Sequence, residues 1–208
     1  MGDDDDMLAA PPSEGSDDAG WLTSFGDLMS LLLVFFILMV SPQAVVSEDQ
    51  REKKEDLDKA VEQIKTEAVN SGIDNEIKVE SQGNTAKLTL QETLLFPPGK
   101  ARLTAANIAH LKKVLEPLKK LKDSHSFDIH GHTDATPIHS KKFPSNWYLS
   151  TARALAILDK FIQEGFPPEK LTAMGYAQYK PVAPEYDKDK RPIPENRAKN
   201  RRVEIYIK

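Results

Sequence analysis

Apolar residues follow different patterns along the chain, and the longest of these is a nearly continuous run. It reads WLTSFGDLMSLLLVFFILMV, from Trp21 to Val40, and Asp27 is its only ionisable residue. A helix rises about 1.5 Å per residue, so this run spans roughly 30 Å, which is the hydrocarbon thickness of a bilayer. The pattern therefore predicts a single transmembrane helix at residues 21–40.

The segments on either side of this helix are polar. Residues 1–20 are acidic and rich in small residues, which predicts a disordered tail. Charged residues dominate after Ser41-Pro42, which should end the membrane helix. A thin apolar stripe recurs there at helical spacing, at Leu57, Val61, Ile64 and Ala68. We interpret residues 41–75 as a partly helical linker or stalk; a frayed, solvated helix is the alternative.

The pattern changes again at residue 76, where short alternating segments begin. Ile77–Glu80 and Ala86–Leu90 alternate around Gly83-Asn84, which predicts a β-hairpin. Thr104 should cap a helix with Ile108, Leu111, Leu115 and Leu118 on its apolar side. A second helix should begin at Ser150 or Thr151 and run to Glu164, with Leu155 facing the core. Further strands are predicted over Ser126–His132, Leu171–Tyr176 and Arg202–Ile207. Because strands and helices alternate, residues 76–208 should form an α+β domain, an α/β sandwich with helices on one sheet.

The amino-acid composition of the chain argues against several classes of function. The chain has 208 residues, a net charge of −4 and no cysteine. The negative charge argues against nucleic-acid binding, and the lack of cysteine excludes disulfides and thiolate metal sites. A phosphate-binding glycine loop and a nucleophile elbow are both missing, so an enzyme is not expected. No lysine or arginine precedes Arg51, so the positive-inside rule leaves the orientation in the membrane open.

Asp27 is the first candidate functional residue. A carboxylate deep in a bilayer costs about 2.5–3.5 kcal/mol, and such residues often face a partner or an ion path. Hydroxyl groups at Thr23, Ser24 and Ser30 lie on its face of the helix. Oxygen ligands of this kind suit a proton or a weakly held cation. A simple membrane anchor with a tolerated polar residue is the alternative.

Two polar groupings stand out in the C-terminal part. His130 and His132, with Asp128 and Asp134 nearby, could hold a metal ion, but no third ligand has a suitable spacing, so we expect no metal there. Asp134 follows a predicted strand, and Arg153 lies about one turn into the next helix. Together they could bind a zwitterion, although a plain Asp134–Arg153 salt bridge is the alternative.

Several sequence blocks resemble a known family. Gly131–Asp134, Asn146–Ala154, Gly175–Ala177 and Asn200–Glu204 resemble, in this order, the OmpA-like peptidoglycan-binding domain. The run Trp21–Phe36 resembles the membrane helix of the flagellar stator proteins MotB and of their sodium-driven relatives. The two parts together identify the chain as a member of the MotB/PomB family, with a C-terminal OmpA-like domain.

The resemblance implies a role for the membrane helix. Asp27 matches the ion-carrying aspartate, and the segment Pro42–Glu55 matches the plug that prevents leakage before assembly. The implied partners are MotA-like membrane subunits, five around two copies of this chain, which would make the chain a homodimer. The translocated ion is a proton or sodium, with no cofactor. Phe25 and Leu33–Phe36 favour the sodium-driven type, whereas Gly26 offers no side-chain ligand, so both ions remain open.

The resemblance also implies a role for the C-terminal domain. Asp134 and Arg153 match residues that hold the diaminopimelate side chain of peptidoglycan. Further residues match the surroundings of that site by motif position, namely Thr133, Asn146, Leu149, Ser150, Asn200 and Arg201. The implied protein crosses the inner membrane once, with a cytoplasmic N-terminus and an extracytoplasmic C-terminal domain. It would couple ion flow to flagellar torque and anchor the motor to the cell wall. A non-motor envelope anchor and a stator-like unit of a non-flagellar machine are the alternatives.

Overall fold

A computed structural model describes residues 18–44, 48–138 and 140–208. The chain divides into two compact units, residues 1–48 and 49–208. Residues 1–17 of the predicted disordered tail lie outside the described residues. Its last three residues, Asp18–Gly20, belong to a helix.

Helix α1, Asp18–Ala44, is the described part of the first unit. Its segment Gly20–Met39 is long and apolar enough to cross a membrane, with a mean hydropathy of 2.1. The helix continues through Ser41-Pro42, which we predicted to end it. Proline has a backbone φ close to the helical value, and near a helix end it removes only one hydrogen bond, so it does not have to stop the helix there.

Helix α2, Glu48–Asn70, corrects the predicted domain boundary. Leu57 is 0% exposed and Ile64 1% exposed, and both belong to the hydrophobic core of the second unit. The interpretation of residues 41–75 as a linker or stalk is therefore wrong for this helix, and the folded unit begins at Asp49 rather than at residue 76. A narrow apolar stripe is enough because each of its residues is fully buried, which local sequence alone does not reveal.

The second unit is built on a five-stranded sheet with the order β1-β2-β5-β3-β4. Its strands are β1 Ile77–Gln82, β2 Thr85–Gln91, β3 Phe127–Gly131, β4 Leu171–Gly175 and β5 Arg202–Ile207. All neighbouring pairs are antiparallel except β3 and β4. The predicted hairpin is confirmed, and Gly83 in its turn has a φ of 61°. Such a positive φ is accessible to glycine at little cost.

The remaining helices are α3 Glu92–Leu95, α4 Ala105–Leu118, α5 Asn146–Gln163 and α6 Pro194–Asn200. Thr104 caps α4 as predicted, in a reciprocal capping box with Asn107. Helix α5 begins before the predicted Ser150, because the extended Ser145 that follows Pro144 serves as its N-cap residue. Leu149, Ala154, Ile157 and Phe161 lie on the buried side of this helix. Leu155 lies off that side and is 47% exposed, contrary to our prediction.

The sheet has one apolar and one polar face. Ile205 lies opposite Leu88 on one side and Ile129 on the other, so these side chains share a face. That face joins the buried residues of α2, α4 and α5 in one core cluster, which confirms the predicted sandwich of helices on a sheet. On the opposite face, His130 lies across from Glu204.

Candidate functional site

A cleft of about 540 Å³ opens beside the end of β3. The residues that follow β3 form one wall, the first two turns of α5 form another, and the beginning of α3 and the residue before β5 complete it. It is lined by Glu92, Thr93, Phe96, Pro97, Pro98, Gly99, Asn107, Thr133, Asp134, Thr136, Pro137, Ile138, Asn146, Leu149, Arg153 and Arg201. Six of the eight residues assigned by motif position therefore line one cavity.

Four charged side chains form a chain of ion pairs in this cleft. Arg153 donates through Nη2 to Glu92 Oε1. Arg201 Nε lies 3.0 Å from Glu92 Oε2, and Arg201 Nη1 donates to Asp134 Oδ2 at 2.7 Å. Two cations and two carboxylates thus compensate each other. The direct Asp134–Arg153 salt bridge, which was the alternative to a zwitterion site, is absent from the described ion pairs, since the two residues are linked through Glu92 and Arg201.

Arg153 is the most deeply buried member of this chain, with 2% exposure. Its Nε donates to the carbonyl oxygen of Lys100 at 2.9 Å, and its guanidinium lies 5.4 Å from the centre of the Phe96 ring. Burial lowers the pKa of Arg153 from its ordinary value, and the charge of Glu92 opposes this shift. The guanidinium stays charged and its orientation is fixed by three contacts.

Glu92 lines the cleft but was not among the site residues predicted from the sequence. It is 7% exposed, and its Oε2 has no hydrogen-bond partner among the described residues, because the contact with Arg201 lacks hydrogen-bond geometry. The only local signal was an acidic residue directly after a predicted strand. Its two arginine partners are far away in sequence, so that signal could not be connected with the site.

The loop after β3 is fixed by the first residue of α5. Asn146 Nδ2 lies within 3.2 Å of the carbonyl oxygens of Asp134 and Thr136. Asp134 Oδ1 accepts the backbone N–H of Thr136 at 3.0 Å. Thr133 Oγ1 is buried and has no partner among the described residues, so it can still hydrogen-bond to a ligand.

Ser150 and Asn200 do not line the cleft, and this corrects their assignment by motif position. Both are 0% exposed. Ser150 Oγ donates to the carbonyl oxygen of Trp147 and accepts the N–H of Ala177, both at 3.1 Å. Asn200 Oδ1 accepts the N–H groups of the loop residues Val182 and Ala183. These side chains position loops behind the cleft, because all their polar atoms are used inside the protein.

Gly131 and Gly175 allow α5 to lie close to the sheet. A β-carbon at Gly131 would collide with the carbonyl oxygen of Ser150, and one at Gly175 would collide with Thr151 Oγ1. This close approach of helix and strands places the beginning of α5 beside the end of β3. The glycines of the sequence blocks therefore help to build the cleft.

The membrane-type helix holds the second candidate site. Ser30 Oγ donates to a backbone carbonyl in the preceding turn at 2.8 Å, and Thr23 and Ser24 donate in the same way at 2.8 and 3.3 Å. Each hydroxyl oxygen keeps acceptor capacity for a cation or water. Asp27 is exposed on the helix surface.

Two known protein families match different parts of the chain. The sequence model of the OmpA family matches residues 95–200, and that described as membrane MotB of the proton-channel complex MotA/MotB matches residues 8–61. The chain belongs to the MotB family. The family resemblance predicted from the sequence blocks is confirmed, and so is the OmpA-like fold.

Two relatives align with most of the chain. Motility protein B of Bacillus subtilis is 27% identical over 91% of this chain and 90% of its own length. The uncharacterized protein YtxE of the same organism is 31% identical, over 91% of this chain and 88% of its own.

Solved structures resemble the folded unit. A MotB-like protein from Desulfovibrio vulgaris covers 76% of this chain and 98% of its own, with 26% identity and a TM-score of 0.64. The cell wall anchor of the type VI secretion system of Pseudomonas aeruginosa covers 69% of this chain and 95% of its own, with 27% identity and a TM-score of 0.60.

Proposed function

We propose that this chain is a stator subunit of a bacterial flagellar motor, which couples ion flow through Asp27 to torque and anchors the motor to peptidoglycan. The observation that carries the proposal is the single carboxylate in the apolar segment Gly20–Met39. A lone carboxylate in lipid is costly unless partner helices or water surround it. The match to the membrane part of the MotA/MotB complex supports a MotA-like partner as that surrounding.

The proposed coupling is electrostatic. In a low-dielectric environment, the charge of a carboxylate is costly unless it is solvated or paired. Uptake of a proton or sodium ion removes this cost, and release restores it. The partner subunits would rearrange in response, which converts ion movement into mechanical work. The chain needs neither a cofactor nor catalytic activity of its own for this role.

The proposed assembly follows the family. Two copies of the chain would stand within five MotA-like subunits, cross the inner membrane once, and keep the N-terminus cytoplasmic. The segment Pro42–Glu55 would act as a plug, although its residues 45–47 lie outside the described residues. The folded unit would then lie outside the cytoplasmic membrane, where peptidoglycan is accessible.

The proposed anchor is the cleft of the folded unit. Diaminopimelate presents an ammonium and a carboxylate, which match the arginines and carboxylates there. The ligand carboxylate would contact Arg153 and Arg201 in place of Glu92, and its ammonium would contact Asp134. The buried Thr133 hydroxyl, which is free of described partners, can add a hydrogen bond.

A non-motor wall anchor is the second candidate. It is favoured by the similarity of the folded unit to a cell wall anchor of a secretion system. A stator-like unit of a non-flagellar machine is a further alternative, and the similarity to YtxE, which is uncharacterized, is compatible with it. A neighbouring gene for a MotA-like protein with several membrane helices would support a stator over a simple anchor.

The test is Asp27→Asn, made in a motile strain that depends on this chain. We expect swimming to be abolished and binding to purified sacculi to be unchanged, since the substitution keeps the side-chain shape but fixes its charge at zero. Asp27→Glu is the matched control and should retain partial motility. Undiminished swimming of the Asp27→Asn strain would overturn the motor proposal and leave the anchor.

A further inference from the structure

The polar face of the sheet carries a cluster that the proposed function does not use, and we name it the histidine cluster. It consists of His130 on β3, His132 just after β3, and Glu204 on β5. His130 and Glu204 are direct cross-strand neighbours. One ligand atom from each of the three side chains lies within 4.8 Å of the others.

The imidazole nitrogens of this cluster have no hydrogen-bond partners in the described part of the chain. His130 Nε2, His132 Nδ1 and His132 Nε2 are all buried and unpartnered. His132 Nε2 lies 3.5 Å from Glu204 Oε2, but without hydrogen-bond geometry. Buried polar atoms are nearly always paired in folded proteins, so nitrogens that converge on a carboxylate without pairing indicate a missing ligand.

Aromatic rings hold both imidazoles in place. His132 is stacked on Tyr176, with ring centres 5.4 Å apart and planes 16° apart. His130 packs against Tyr206 at 4.7 Å and against Tyr176 at 5.0 Å. Ligands that are oriented in advance lose less conformational entropy when they bind a metal ion.

Glu204 is held so that only one of its oxygens faces the histidines. Oε1 accepts from Arg202 Nε at 2.8 Å and lies 3.2 Å from Lys87 Nζ. Oε2 accepts the Tyr206 hydroxyl at 2.9 Å and is the oxygen that lies nearest to His132. The contacts on Oε1 orient the carboxylate, as hydrogen bonds to metal ligands commonly do.

We propose that His130, His132 and Glu204 form a binding site for a divalent transition-metal ion, and that the ion is zinc. Two imidazoles and a carboxylate form a common zinc ligand set, with bond lengths of about 2.0–2.2 Å and a fourth position for water. Some movement of the half-buried His130 would close the ligands around the ion. The sequence did not reveal this site because the third ligand comes from the last strand.

Zinc binding to the full-length protein in detergent micelles, without a histidine tag, tests the site by isothermal titration calorimetry. We expect one zinc ion per chain, and an association constant at least tenfold lower for His130→Ala. The control is His110→Ala, on α4, whose Nδ1 is also buried and unpartnered but which lies outside the cluster. Cobalt should give visible absorption bands of a nitrogen–oxygen site in the wild type and lose them in His130→Ala.

A second variant separates metal binding from a structural effect. Lys87 places a positive charge beside Glu204, so Lys87→Met should make zinc binding several-fold tighter. Equal affinity of His130→Ala and the wild type would overturn the proposal and assign any bound zinc to the acidic N-terminal residues. No tightening in Lys87→Met would also count against Glu204 as a ligand.

Discussion

The first two helices use hydrophobic residues in opposite ways. Helix α1 is apolar on all sides from Leu31 to Met39, and its residues from Gly20 to Met39 are all exposed. Helix α2 is dominated by charged residues, yet Leu57, Val61 and Ile64 are almost completely buried. In α2, the spacing of a few apolar residues therefore decides which side of the helix packs in the core. In α1, the length of the apolar run makes the helix suited to a lipid environment.

The acidic side chains of the two units also differ in how their charge is compensated. Within the part of the chain that the structure describes, Asp134 pairs with Arg201, and Glu204 with Arg202 and Lys87. No ion-pair partner of Asp27 is found among those residues. The folded unit compensates its buried charges itself, whereas the charge in α1 requires partner helices, water or a bound ion.

The largest effect that tests this comparison is expected at Leu57. Leu57→Ala should destabilise the folded unit by about 2–4 kcal/mol, because it leaves a cavity in the core. Chemical denaturation of the full-length protein in detergent, followed by circular dichroism, measures this. Leu32→Ala in α1 is the matched control and should leave the transition unchanged. If Leu57→Ala were equally harmless, α2 would be a stalk as the sequence suggested.

A smaller effect is expected at Arg201, whose side chain is 35% exposed and contacts both Glu92 and Asp134. Arg201→Ala should weaken binding of a diaminopimelate-containing muropeptide by roughly 2 kcal/mol, about 30-fold, because one charge-assisted contact is lost. Arg153 is less suitable, since it is only 2% exposed and its side chain also packs on Phe96 and binds the carbonyl oxygen of Lys100. Fluorescence polarisation with a labelled muropeptide measures the affinity.

The control for this experiment is Arg191→Ala, because that arginine is 71% exposed, pairs with Asp187 and does not line the cleft. It should bind the muropeptide as the wild type does. Unchanged affinity of Arg201→Ala would mean that the cleft binds peptidoglycan in another way or not at all.

The sequence predicted most elements, because local patterns determine them. Strand alternation, the Thr104 cap and the apolar run of α1 all depend on residues close together in the chain. What it missed depends on distant residues. Glu92 meets Arg153, and Glu204 meets His132, only after the fold has brought distant parts of the chain together. The burial of α2 and the inward position of Ser150 were missed for the same reason.

The smallest expected effect is the dependence of stability on pH, and it concerns the folded unit alone, since α1 contains no histidine. Burial lowers the pKa of His125, His130 and His132 below the ordinary value of 6.5, so the folded state binds fewer protons than the unfolded state. Stability should be complete above about pH 6.5 and decrease as the pH falls below it. Glu204, with its lowered pKa, adds a further loss below pH 4.5.

Thermal unfolding between pH 7.5 and 5, with a chelator to exclude metal ions, measures this dependence. The midpoint should fall steadily on the acid side, by less than Leu57→Ala lowers it at pH 7.5. His130→Gln should flatten the profile, because glutamine does not titrate, whereas Lys142→Gln in an exposed loop should not. A midpoint that rises toward acid would mean that the imidazoles bind protons more tightly in the folded unit than in the unfolded chain.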